Sequence, residues 1–305
     1  MGDYMFMLES HLSAEQFRVI GLMRQLAGES GINLFLTGGA MRDMLGGFPV
    51  RDLDFTIEGN PQKFAKIAEK KFGAKIVGGD ELRKSVELQF EGGIIAELGM
   101  AHQERFPKSG AKPQVSAATI YEDLRCRDFT VNALAIALDE PVLVDPCGGV
   151  ADLAARRLRT PRSPEESFGD DPLRMLRAAR FTATLGFAPD AELVEAMGAM
   201  RERLDIVSAE RIRDELSKLL LAEDPSPGLW LVARTGLADH FLPELNSMRL
   251  EQDPIHRHKD VLAHTIAVVA NTSPTVRLRL SALIDRKSTR LNSSHIPLSR
   301  MPSSA

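Results

Sequence analysis

Apolar positions along this chain recur with two different periods. From 13 to 31 they fall at Phe17, Ile20, Leu22, Met23 and Leu26. That is the spacing of one helical face, with Ser13 as its cap and Gly28 near its end. From 34 to 57 the pattern shortens. Leu34, Phe35 and Leu36 form a β-like run, Gly38-Gly39 a turn, Met41 and Leu45 a helical pair, and Asp52-Leu53-Asp54-Phe55-Thr56-Ile57 a second β-like run. The prediction is strand, tight turn, helix, strand. Asn60-Pro61 opens a further helix through Phe64, Ile67 and Ala68 that closes near Gly73. Short strands are predicted over 74–77, 85–90 and 94–98, the last two joined at Gly92-Gly93. Within 121–138 a helix is predicted to open at Asp128 and to pass into a strand near 135–138. After about residue 150 the short runs give way to helical spacing over 171–186, 208–221 and 225–241. The first of these carries Arg174, Arg177 and Arg180 at every third position beside its apolar stripe.

The charge balance narrows the possible partners. The 305 residues carry a formal net charge of −4, which does not mark a nucleic-acid binder by bulk charge. The last twenty residues hold four basic and no acidic side chains, so removing them takes −4 to −8. Any RNA contact therefore has to come from local arginine patterning. No apolar run nears the roughly 20 residues that span a bilayer, and no secretory signal opens the chain, so no membrane is expected and the expected location is cytoplasmic. Cys126 and Cys147 suggest neither a disulfide scaffold nor a zinc site. The sequence sets no oligomeric state.

The chemistry concentrates at 34–57. Side chains alternate along a strand, so Asp52 and Asp54 point to one side of it and repel each other. A divalent cation such as Mg2+, which takes oxygen ligands and often holds substrate phosphates, offsets that repulsion. Gly38 and Gly39 let backbone approach a ligand, the helix starting there offers free N–H groups to an anion, and Arg42 can add a charge-assisted hydrogen bond to a phosphate. Taken alone, a D-x-D is most often a solvated strand edge, and a Gly-Gly only a turn. Their conjunction is what points to phosphate chemistry.

The stretch GGAMRDMLGGFPVRDLDF resembles the signature of the nucleotidyltransferase superfamily, in the branch of bacterial tRNA CCA-adding enzymes and poly(A) polymerases. Three further motifs extend the resemblance over about residues 30 to 222. CRDFTVNALA is similar to that branch's R-R-D-F-T-x-N-A, DPCGGVADL to its D-P-x-G-G-x-x-D-L, and GDDPLRMLRAARF to its E-D-P-x-R-x-L-R-A-x-R-F. The resemblance implies an α+β fold: a polymerase-β-like head with a small mixed sheet over 1–150, then an all-helical body over 151–250 for base selection and RNA binding. It implies that Asp52 and Asp54 hold Mg2+ and that Gly38, Gly39 and Arg42 hold triphosphate. Arg127, Asp128 and Asn132 would bind sugar and phosphates, and Asp171 with Arg174 would read the base as a protein template, one helical turn apart. Arg177 and Arg180 join the nucleotide-binding set by motif position. Glu97 stands where the family has an acidic residue that can complete the metal site, although His102 replaces the arginine expected after it. Cys126 and Asp170 likewise replace an arginine and a glutamate. The D-P-x-G-G element is equally a hinge between domains or a strand-to-helix turn. The loop 106–113 is expected to be mobile near the site.

The end of the chain departs from this pattern. Residues 251–284 resemble the start of an HD phosphohydrolase domain, with His264 as a possible first ligand, but no His-Asp pair follows and no phosphohydrolase activity is expected. DRKSTRLNSSH reads like an in-frame translation of a sequencing-library adapter, so 285–305 are expected to be a non-native disordered tail after a truncation near 284. The expected reaction is addition of CCA, or part of it, to a tRNA 3′ end from CTP and ATP by a two-metal mechanism. Poly(A) polymerase, CC-adding and A-adding activities are its rivals within the family. A catalytically silent nucleotide or RNA sensor is the rival outside it.

Overall fold

A computed structural model describes residues 3–81, 84–105, 114–248 and 261–284. The expectations for 106–113, for 251–260 and for the 285–305 tail lie outside the described residues. The chain divides into two compact units, one of Met1–Asp171 with Ala188–Leu193, the other of Pro172–Phe187 with the chain from Val194 onward. The division falls later than residue 150. Asp152, Arg157 and Arg159 bind back into the first unit, so the sequence signal at 150 marks a turn inside it.

The first unit opens with α1 (Asp3–His11) and α2 (Ala14–Ser30). Ser13 caps α2 through a reciprocal box with Gln16, and Gly31 closes the helix, as the spacing over 13–31 predicted. Next come β1 (Leu34–Thr37), α3 (Gly38–Leu45), β2 (Leu53–Ile57) and α4 (Pro61–Phe72), as the alternating pattern predicted. β3 (Lys75–Asp80), β4 (Ser85–Gln89) and β5 (Ile95–Met100) follow, then a separate ribbon of β6 (His102–Arg105) with β7 (Gln114–Ala117). After α5 (Ile120–Arg125) and a 3-10 turn (Thr130–Asn132) the chain returns through β8 (Ala135–Ala137) and β9 (Leu143–Val144). The main sheet has the order β3-β4-β5-β2-β1-β8-β9 and is mixed, because β2 and β5 run parallel within otherwise antiparallel pairs. One face packs Leu34, Leu36, Phe55, Ile57 and Leu98 against Met23, Leu26 and Phe64. On the other, Phe35 and Ala135 meet Ile120 and Leu124.

α6 (Gly149–Ala154), β10 (Arg157–Leu158) and α7 (Pro164–Asp170) complete the first unit, with β11 (Ala188–Pro189) paired to β10. The expected helix over 171–186 is shorter: α8 spans Leu173–Leu185. Asp171 is extended (φ −139°, ψ 102°), the conformation that a following proline imposes. Asp171 and Arg174 are therefore not one turn apart on a single helix. The second unit continues with α9 (Ala191–Ala199, which begins in the first unit), α10 (Ala209–Leu220), α11 (Ser226–Thr235), α12 (Pro243–Ser247), α13 (Val261–Asn271) and α14 (Val276–Ile284). Among the described residues no helix is long and apolar enough to cross a membrane.

Candidate active site

The site grows from the junction of β1 and α3. Gly38 turns the chain with φ +65°, a conformation that L side chains resist, and a Cβ there would stand 3.2 Å from Asp54 Oδ2 and 3.8 Å from Arg127 Nη1. A Cβ on Gly39 would meet Arg42 Nη2 at 3.6 Å and Asp54 Oδ2 at 3.7 Å. The glycine pair thus faces Asp54, Arg42 and Arg127, three of the groups that the sequence singled out. The N–H of Gly39 donates to Asp54, so the positive end of α3 points at this carboxylate.

On the neighbouring strand, Leu53, Phe55 and Ile57 are buried in the core while Asp54 is half-buried and Asp52, just ahead of β2, is exposed. Asp54 lies opposite Glu97 of β5, and Glu97 lies opposite Glu87 of β4. Carboxylates in register on adjacent strands repel. Burial, then the charge of Glu97, push the Asp54 carboxyl up to about 6, with Asp52 adding to the rise and Arg127 and the Gly39 N–H opposing it. Sequence reasoning missed Glu87, because only strand pairing brings it into this row.

The cationic side is an internal network. Arg42 donates from Nε to Asp43 at 2.8 Å and from Nη1 to Asn132 Oδ1 at 2.8 Å. Asn132 donates from Nδ2 to Asp128 Oδ1 at 3.0 Å, and the Phe129 N–H donates to that same oxygen at 2.8 Å. The expected helix opening at Asp128 is instead the 3-10 turn, which still brings Asp128 and Asn132 together. Arg127 donates to Asp123 from Nε (2.9 Å) and Nη2 (2.7 Å), and from Nη2 to Thr56 (3.2 Å). Asp123 also accepts from the His102 N–H at 3.1 Å. Its part went unread, although Asp123 and Arg127 stand four apart, a pairing distance on any helix.

The D-P-x-G-G element is a strand-to-helix turn. Asp145 at the end of β9 accepts from the N–H groups of Gly149 (2.7 Å) and Val150 (3.0 Å), opening α6. From α6 the fully buried Asp152 reaches Thr130, Arg157 and Arg159. Burial alone would raise its carboxyl, but the hydrogen bonds from Thr130, Arg157 and Arg159 prevail and hold it below the usual range.

In the second unit Arg177 and Arg180 share one partner that sequence reasoning passed over. Glu215 of α10 is 4% exposed and accepts from Arg180 Nε at 2.6 Å and Arg177 Nη1 at 3.3 Å. Arg180 also stacks on Phe181, 4.0 Å from the ring centroid. These contacts join α8 to α10, a structural role that bulk helical periodicity did not show. Arg174 lies half-buried in the first turn of α8. Asp170, in place of the family glutamate, pairs with Arg162.

Among the described residues no three carboxylate, imidazole or thiol side chains converge as a metal cage. Asp54 is half-buried and Asp52 exposed, so the two present open oxygen donors of the chemical type that a phosphate-bound divalent cation takes. His264, on α13, belongs to no such group either.

Residues 34–159 match the family model described as Poly A polymerase head domain, and residues 186–249 match "Probable RNA and SrmB- binding site of polymerase A". A CCA-adding enzyme of Anoxybacillus flavithermus is 32% identical over 78% of this chain and 58% of its own length. A CC-adding tRNA nucleotidyltransferase of Shouchella clausii is 36% identical over 70% of this chain and 51% of its own. The chain thus spans just over half the length of these curated relatives. The crystal structure of the Bacillus stearothermophilus CCA-adding enzyme in complex with CTP superposes with a TM-score of 0.69, at 25% identity, covering 94% of this chain and 72% of that one. With the glycine turn and the mixed sheet in place, these matches support membership of the tRNA nucleotidyltransferase family.

Proposed function

We propose that the protein adds nucleotides to the 3′ end of a tRNA from CTP and ATP. The observation that carries this reading is Asp54, held half-buried beneath the Gly38-Gly39 turn with Asp52 and Glu97 acting on its charge. Asp52 and Asp54 would hold divalent metal, Mg2+ as the ordinary partner of a triphosphate, with Glu97 as an outer contributor. Bound there, the metal would lower the charge barrier to attack by a 3′-hydroxyl and to departure of pyrophosphate.

The remaining work falls to this chain's own groups. Gly38 and Gly39 leave room for phosphate oxygens against the start of α3, and Arg42 and Arg127 supply positive charge beside them. Asn132, itself anchored on Asp128, holds Arg42, and the two close the sugar side. Asp171 and Arg174 supply the acceptor and donor for a base edge, a role that rests on their chemistry and motif position. Arg177 and Arg180 serve this scheme by joining α8 to α10.

The test is incorporation of labelled CTP and ATP, singly and together, into a tRNA lacking its terminal CCA. Addition of three residues with both nucleotides supports the CCA-adding reading. The likeness to a CC-adding relative favours one alternative, in which CTP alone is used and addition stops after two. Long adenosine runs would make the protein a poly(A) polymerase. Nucleotide binding without metal-dependent pyrophosphate release would make it a silent sensor.

A further inference from the structure

Beneath the 3-10 turn that carries Asn132 lies a buried charge to which neither the metal site nor the phosphate cradle assigns a task. Asp152 is fully buried, and its two oxygens divide their partners. Oδ1 takes Arg157, from Nε at 2.8 Å and Nη2 at 2.6 Å. Oδ2 takes the Thr130 hydroxyl at 2.6 Å and Arg159 Nε at 3.0 Å. The backbone repeats the attachment, since the Thr130 N–H donates to the Arg159 carbonyl at 2.8 Å. Gly149 passes so close that a Cβ would stand 2.1 Å from the Thr130 carbonyl oxygen. Two residues on from Thr130, Asn132 holds Arg42.

We infer that Asp152 is a positioning residue for nucleotide binding: through Thr130 it fixes the turn that sets Asn132, and through Asn132 the guanidinium of Arg42. A buried anion with guanidinium and hydroxyl partners of good geometry makes a stiff support, and groups that orient binding side chains carry part of the affinity. The inference rests on the nucleotidyl-transfer reading of the Gly38-Gly39 site.

The test measures CTP affinity by titration calorimetry with magnesium present, together with hydrogen exchange at residues 130–133, on the full chain. Asp152→Asn and Thr130→Val should each weaken CTP about tenfold and speed exchange at the turn. The double variant should lose little more than either single one, because both cut one path. Thr130→Ser, which keeps the hydroxyl, should bind CTP as the wild type does. Arg157→Ala, which removes only the Oδ1 partner, should lower the melting temperature while leaving CTP affinity within about twofold. Should Asp152→Asn not fold, the two Thr130 variants still decide. Wild-type affinity or exchange in Thr130→Val overturns the inference alone. If the wild type binds no CTP, the inference falls together with the reading of the site.

Discussion

At the scale of single residues, the site trades stability for chemistry. The Asp54 carboxyl stands at about 6 in the folded chain against 3.8 for the free group. Between those values the folded state binds more protons than the unfolded one, so this group's contribution to stability falls as pH rises through the interval and is fully unfavourable above it. Asp54→Asn should therefore abolish nucleotide incorporation yet stabilise the metal-free protein by about 3 kcal/mol at about pH 8, with almost no gain at about pH 3. Urea unfolding in a chelator at the two pH values checks this, and a less stable variant at the higher one would contradict it. Gly38→Ala meets a backbone at φ +65° and a Cβ position 3.2 Å from Asp54. It should cost about 1–2 kcal/mol by thermal unfolding and reduce incorporation severely. Asp52, Asp54, Gly38 and Arg42 were legible in the sequence, because a turn, a strand period and a charge pattern are local. Glu87 and Asp123 gave little local signal, since their meaning depends on the strand or guanidinium beside them.

At the scale of elements, buried charges hold helix to helix. Arg279 of α14 is 2% exposed and donates to the carbonyls of Leu220 (2.6 Å), Ala222, Glu223 (3.4 Å) and Thr272 (3.0 Å). A guanidinium on the last carbonyl of α10 and on those just past its end satisfies acceptors that the helix leaves open and meets the negative end of its dipole. Arg279→Met should destabilise the second unit by about 3 kcal/mol, read as a lower urea midpoint, because the buried carbonyls lose their donor. Glu215 plays the matching anionic part between α8 and α10. Helical periodicity located both helices, but on α10 the apolar Ile212 and Leu216 are only half-buried while Glu215 is buried beside Leu219 and Leu220. A period says which side turns inward, and partners on another helix decide whether a charge can sit there.

At the scale of the whole molecule, the question is where one compact unit ends. Asp152, Arg157 and Arg159 tie the segment beyond residue 150 to the Thr130 turn, so a fragment ending at 150 should lose cooperative unfolding while one ending at 171 keeps it. Melting curves of the two fragments followed by circular dichroism would show the difference; equal cooperativity would return the boundary to 150. By itself the sequence determined the strand-turn-helix-strand core, the change from short strands to helical spacing and the pair of aspartates, because hydrophobic period, glycine conformation and like-charge repulsion act over a few residues. Tertiary structure alone decided that Glu97 and Glu87 share a row with Asp54, that Asp152 lies under Thr130, that Arg177 and Arg180 converge on Glu215, and that the first unit reaches Asp171. Each of these depends on groups distant along the chain and close in space: strand register aligns the exposed Glu97 and Glu87 with Asp54, and partners from other elements allow Asp152 and Glu215 to be buried.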